Sequence, residues 1–251
     1  MIKLFRNIRQ SLIMENKTGK YLKYAIGEIV LVVIGILIAL QINNWNENRK
    51  SKILEKKMLS ELGKSLEDNC NVMIQDSLLR ITWNTSSNII IKAIENKQDY
   101  SDTLNMHFQN ARKPGTNLAL SSSGYEGLKN VGFNIITSDE LRNNIVELFE
   151  LTQKSLLEEM EYFESFQPDR QTQIDKLFSY DETKFDPSKP FDIPLIPHDY
   201  NALKDNIEYL SMIKSVKVQR DIIGVILNRN LKESQRVLQM IKFELNKTTN
   251  D

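Results

Sequence analysis

The side chains best suited to chemistry are few and scattered. Cys70 is the only thiol, and it stands between Asn69 and Asn71 with no base beside it. A nucleophilic cysteine needs a neighbour that holds it as thiolate, so Cys70 reads as a small side chain on a helix. One Cys also excludes an intramolecular disulfide and a four-Cys zinc site. His107 and His198 are the only histidines, too few for a His-rich metal centre. His107, between Met106 and Phe108, reads as a satisfied or surface residue, and His198 as the opening of the last helix. Glu158, Glu159, Glu161 and Glu164 gather acid on one segment. Paired carboxylates do acid–base work only where a cleft splits their pKa values, and with Lys154 nearby a solvated face is the expected role. Asp186 and Asp192 lack the glycine and terminal Glu of an EF-hand loop. The chain contains no GxGxxG, GxxxxGK[ST], GxSxG or HExxH, so the common phosphate, serine-hydrolase and zinc-protease signatures are missing. No catalytic, cofactor-binding or metal residue is expected, and the chain reads as non-enzymatic.

The best remaining candidate is aromatic. Tyr162, Phe163, Phe166, Phe178 and Tyr180, with Phe185 and Phe191, surround a proline-rich stretch. They read either as a groove for a protein partner's peptide or a lipid, with that stretch laid over it, or as helical core plus a docked loop. Basic residues beyond the N-terminus alternate with acids and form no aromatic–basic stripe, so nucleic acid is not an expected partner.

What positions these residues begins with a charge asymmetry. Lys+Arg and Asp+Glu number 33 each, and 41% of residues are hydrophobic, enough for a core. Residues 1–24 nevertheless carry net +5, and the remainder carries −5. Between them Ile29–Leu40 reads IVLVVIGILIAL, twelve apolar residues without interruption. Tyr24–Asn43 holds twenty residues with one charge, Glu28, and a hydrocarbon core needs about 20 helical residues. Tyr21 and Tyr24 flank one end and Trp45 the other. Tyr24 and Trp45 lie about 31 Å apart along a helix, which suits aromatic anchors at the two faces of one bilayer. No small-x-small cleavage site follows Leu40. A lipid bilayer is therefore the first expected partner.

Within that span Glu28, Gly35 and Ala39 share one helical face. Gly35 and Ala39 form a small-xxx-small pair that lets a second helix approach closely. Glu28 either meets a donor on such a partner or snorkels to the headgroups one turn past Tyr24. Basic residues within reach number six before the span and five after it, at Arg49, Lys50, Lys52, Lys56 and Lys57, so charge barely orients it. The short basic side is expected in the cytoplasm, because no other segment would export the large C-terminal part. Residues 2–14 place Phe5, Ile8 and Leu12 on one helical face, which reads as a basic amphipathic helix on the inner leaflet or as a tail that only sets topology.

The rest reads as helix. Leu59, Leu62, Leu66 and Met73 extend a helix out of the span over 51–80, with an end or bend expected near Thr85–Asn88. A short helix over 101–112 is capped by Ser101 or Asp102, and 113–124 is a loop. Another short helix carries Tyr125 and Leu128 and ends at Gly132. Thr137 with Glu140 matches a capping box before a long helix through Phe163, which Pro168 kinks or splits. Four prolines make 184–198 an extended connector, and a final helix runs from about Asp199 to Asn246. The expected class is all-α: a cytoplasmic segment over 1–23, a transmembrane helix over 24–43, and over 44–251 an elongated antiparallel helical bundle outside the cytoplasm.

Residues 15–50, ENKTGKYLKYAIGEIVLVVIGILIALQINNWNENRK, resemble the N-terminal signature of an uncharacterised family of bacterial membrane-anchored proteins associated with Bacteroidota. Glu15, Asn16, Lys17, Tyr21, Tyr24, Ala25, Gly27, Glu28, Gly35, Leu40, Gln41, Asn43, Asn44, Trp45 and Asn46 carry the likeness. Residues 125–150, YEGLKNVGFNIITSDELRNNIVELFE, add a second, shorter match. The resemblance implies an inner-membrane anchor with a periplasmic helical region, and it supplies no activity. The expected function is a tethered, non-enzymatic binding, sensor or scaffold module. The alternatives are an extracytoplasmic enzyme built on scattered carboxylates and a subunit that self-associates through the span.

Overall fold

The computed structural model describes residues 18–115 and 118–247. The expected amphipathic helix over 2–14 and the side chains of Tyr21 and Tyr24 lie outside that description. The chain divides into two units, Met1–Glu55 and Lys56–Asp251.

Helix α1, Thr18–Glu95, supplies the described part of the first unit and one wall of the second. Within the first unit its apolar residues from Ile26 to Ile42 are 46–63% exposed on every side of the helix. Among the described residues one helix is thus long and apolar enough to cross a membrane. Within the second unit α1 buries Leu59, Leu62, Leu66, Asn69, Met73, Asp76, Arg80, Trp83, Ser87, Ile90 and Ile94. That alternating spacing of four and three keeps one narrow seam against a neighbour. The break expected at Thr85–Asn88 does not occur. Thr82 and Thr85 donate their hydroxyls back to the carbonyls of Leu78 and Ile81 (3.2 and 3.0 Å), and Ser86 and Ser87 are buried in the seam. Side chains that would favour a turn are absorbed by the helix itself or by packing.

After a 3-10 turn at Asp102–Leu104, whose Ser101 cap accepts from the Thr103 amide, come α2 (Asn105–Ala111) and α3 (Ser123–Val131). Gly132 closes α3 at φ 101°, a conformation that favours glycine. Phe133–Ile135 is a 3-10 turn. Helix α4, Asp139–Glu147, is capped by Ser138, whose Oγ accepts from the Leu141 amide at 3.3 Å. The cap therefore sits one residue beyond the expected Thr137. A π-helical stretch, Leu148–Gln153, joins α4 to α5 (Lys154–Glu164), and α6 (Gln167–Leu177) starts afresh with Pro168 in its first turn.

No strand pattern is legible over 178–197, but a two-stranded antiparallel ribbon pairs β1 (Phe178–Tyr180) with β2 (Leu195–Pro197), Ser179 facing Ile196. The proline-rich segment is the long excursion between them. Asp199 caps α7 (Tyr200–Lys204), and α8 (Ile207–Lys247) starts separately because the Asn206 side chain accepts from the Tyr209 amide at 2.9 Å.

Helix α8 buries Tyr209, Ile213, Val216, Arg220, Ile223, Leu227, Asn230, Ser234, Val237 and Ile241, the same four–three spacing. Contacts from Glu95–Lys214 through Asn84–Asp221 to Glu67–Lys242 show that α8 runs antiparallel to α1. Three apolar clusters fill the second unit. One centres on Leu62, Leu128, Leu141 and Ile241, one on Met73, Leu156 and Leu227, and one on Ile90, Phe108, Phe178 and Ile213. The class is all-α, although the short helices and the ribbon do not complete a clear bundle.

Candidate functional site

Where the two long helices pass the end of α2, the seam turns polar. Arg220 is 1% exposed. Its Nε donates to Asn84 Oδ1 at 2.8 Å. Its Nη1 donates to the carbonyls of Asn110, Ala111 and Lys113 at 3.3, 3.2 and 2.7 Å, and Nη2 donates to Ser87 Oγ. A guanidinium thus gathers carbonyls at the end of a helix, where they lack a following turn to accept from. Burial lowers its pKa to about 10, so it is charged at neutral pH. Beside it the buried Arg80 pairs with Asp76 and donates Nη1 to the Pro114 carbonyl at 3.2 Å. Two arginines from opposite helices therefore fix residues 110–114.

That fixed segment is the floor of two adjoining cavities. One, of about 780 Å³, lies between Leu79, Trp83, Arg112, Lys113, Tyr180, Phe191 and Ile193. The other, of about 450 Å³, lies between Arg80, Met160, Phe163 and Ile223. Pro114, Gly115 and Gln167 line both. The larger falls within the usual size of a small-molecule site. The proline-rich segment forms its rim. Gln109 Nε2 donates to the Phe191 carbonyl at 2.7 Å, and Lys113 pairs with Asp192. Lys113 Nζ also lies 5.5 Å from the centre of the Trp83 ring.

The aromatic residues singled out in the sequence part company here. Tyr180 and Phe191 line the larger cavity and Phe163 the smaller. Phe178, 3% exposed, is core, its ring 5.1 Å from Phe108 and 5.3 Å from Tyr209. Tyr162 and Phe166 pack edge-to-face at 5.3 Å on the outer surface, and Phe185 is exposed. Trp83, Gln109, Arg112 and Lys113 escaped the sequence reading. The spacing of Gln109 and Arg112 by three, ahead of Lys113-Pro114-Gly115, was the signal available.

The remaining candidates fall as follows. Cys70 is buried, and burial with Glu67 nearby pushes its thiol pKa up, away from thiolate chemistry. His107 Nδ1 meets Ser86 Oγ at 3.0 Å. His198 is exposed. Glu158, Glu161 and Glu164 are exposed, and Glu158 lies 3.8 Å from Lys154. Asp186 caps its own turn, accepting from the Ser188 amide and hydroxyl. Among the described residues no three His, Cys, Asp or Glu side chains group as metal ligands. In the first unit Gly35 and Ala39 are exposed, an added Cβ at Gly35 would meet nothing within 4 Å, and Glu28 is half-buried. Trp45 is 67% exposed, with Arg49 5.9 Å from its ring centre.

One further arrangement joins the two ends of 125–150. The buried Tyr125 stacks on Phe149 (4.4 Å, 5°) and donates to Glu150 Oε1 at 2.8 Å, where Lys129 also arrives at 3.1 Å. These two donors hold the Glu150 carboxyl below the usual range, while burial and Glu150 push the Tyr125 phenol up.

No curated protein and no solved structure matches the chain. Residues 28–105 match the model of a family of unknown function, DUF6090. That stretch covers the apolar segment, the seam of α1 and the Trp83 wall of the larger cavity, and over it the chain is similar to an uncharacterised domain family.

Proposed function

We propose that the protein is anchored by residues 24–43 in the inner membrane of a bacterium of the Bacteroidota type, with its N-terminal segment in the cytoplasm. The helical unit then stands in the periplasm and binds a partner without transforming it. The observation that carries the anchor is that the large apolar side chains from Ile26 to Ile42 are all about half exposed, on every side of the helix. In water this would be an apolar surface far beyond what soluble proteins leave uncovered, whereas in lipid it is the ordinary outside of a span. Orientation is read from the basic N-terminal segment, six basic residues before the span against five after it. Binding, rather than catalysis, is favoured by a cavity walled with rings, prolines and amides whose Lys113 and Asp192 are spent on each other.

Self-association through the span is a second reading, favoured by the open face at Gly35. Gly35→Ile would then reduce oligomer size in detergent, and an unchanged size would remove this reading.

The anchor is tested in bacterial cells carrying the full chain with alkaline phosphatase or green fluorescent protein at its C-terminus. An active phosphatase, a dark fluorescent fusion and retention in carbonate-washed membranes are expected. A bright fluorescent fusion would reverse the orientation, and release by carbonate would end the anchor.

A further inference from the structure

Arg112 is a guanidinium in the wall of the larger cavity, and among the described residues no acid is paired to it. Its Nε donates to Gln109 Oε1 and its Nη1 to Gln171 Oε1, both at 2.8 Å. Its Nη2 donates to the Tyr180 hydroxyl at 3.3 Å, and its Cζ lies 5.8 Å from the centre of that ring. All three acceptors are neutral. The carboxylate nearest in the network, Asp175, reaches only Gln171, accepting from its Nε2 at 2.6 Å. The other cation of the cavity, Lys113, has its counter-charge in Asp192. Three of the five guanidinium N–H groups are engaged, leaving one on each terminal nitrogen. The same space is walled by Trp83, Tyr180, Phe191 and Ile193. One uncompensated positive charge, held in a fixed pose at an apolar wall, selects for one negative charge on an apolar body.

We infer that this cavity binds a small amphipathic carboxylate, with its anionic head on Arg112 and its apolar body along the Trp83–Phe191 wall. Arg112 is half-buried and held by three neutral hydrogen bonds, so it needs no rearrangement to receive the head. Gln109, 2% exposed, fastens both sides of the site. Its Oε1 fixes Arg112, and its Nε2 fixes the Phe191 backbone. Ligand selection thus depends on α2 and on the proline-rich rim together. This deepens the binding-module reading and does not depend on the anchor.

The chain has two tryptophans, so Trp45→Phe leaves Trp83 as the sole reporter in the cavity wall. The test is a fluorescence titration of that full-length protein in lipid nanodiscs with decanoate and, separately, with its neutral counterpart decanamide. Saturable change with decanoate and binding of decanamide weaker by roughly tenfold or more are expected. Arg112→Gln should erase the preference and leave decanamide affinity where it was. Arg112→Lys should restore part of the preference. Phe191→Ala should weaken both ligands. Equal affinity for the two, no saturable signal with either, or a preference that survives Arg112→Gln overturns the proposal. The topology and carbonate results fail or stand separately from this titration.

Discussion

Residues 25–42 and residues 59–94 belong to one helix and have opposite relations to their surroundings. In the first stretch the apolar side chains cover the whole circumference, and all are about half exposed. In the second the buried side chains follow a seam of alternating fours and threes, and outside it charged residues such as Glu61, Lys64 and Glu67 stand with a few exposed apolar ones, Leu78 and Ile81 among them. Helix formation is therefore not what separates the regions. The seam of the second stretch packs against α8, α3 and α4, and among the described residues the first stretch has no such partner. A helix without a seam is complete only in an apolar solvent.

The contrast can be broken by substitutions that should matter in one region and not in the other. The largest effect is expected at the polar layer of the seam. Arg220→Met removes the shared donor of Asn84, Ser87 and three backbone carbonyls, although Asn110 keeps the Lys113 amide and Ala111 the Ser87 hydroxyl, and should cost about 3–5 kcal/mol over these groups together. The measurement is urea unfolding of the full chain in nanodiscs. A cost below about 1 kcal/mol would show that the 110–114 segment holds without its arginine.

Next, Leu62→Ala empties a fully buried site and should cost about 2–5 kcal/mol in the same assay. Leu37→Ala, 58% exposed in the first region, should leave that transition unmoved. Equal costs would mean that the first stretch is packed against protein.

Two glycines sharpen the same point. An added Cβ at Gly124 would meet Leu62 Cα at 2.7 Å and the Glu61 carbonyl at 3.1 Å, so α3 must lift from α1. Gly124→Ala should cost about 1–3 kcal/mol, while Gly27→Ala, with nothing within 4 Å, should not shift unfolding.

The smallest effect is electrostatic. Tyr125 and Lys129 hold the Glu150 carboxyl low. Their stabilisation is present above the ordinary carboxylate pKa and is lost as the pH falls through the lowered one. Tyr125→Phe should move the Glu150 midpoint upward in a carbon-detected NMR titration, and an unmoved midpoint would assign the shift to Lys129 alone.

Much of this was legible in the residues. The apolar run, the leucines of α1, the stop at Gly132 and the restart at Pro168 each follow from local chemistry. Thr85–Asn88 misled because turn-forming side chains can also bond back to their own helix or fill a seam, and only the packing decides between them. The ribbon was hidden because three-residue strands carry no period. The cavity was hidden for another reason. Gln109 and Phe191, or Arg112 and Tyr180, stand 82 and 68 residues apart, and no local pattern announces such a meeting. Arg220 could have been suspected, since it occupies a seam position of α8 between the apolar seam residues Val216 and Ile223.

The proposed anchor requires that the apolar half of α1 face lipid all round. A nitroxide scan of the full chain in nanodiscs, on a Cys70→Ser background, measures this directly through relaxation by oxygen and by a water-soluble nickel chelate. Oxygen should dominate at every position from Ile29 to Leu40, and the chelate should gain access only in the second stretch, on the face away from the seam. Dominance of the chelate anywhere between Ile29 and Leu40 would place that segment in water and contradict the account.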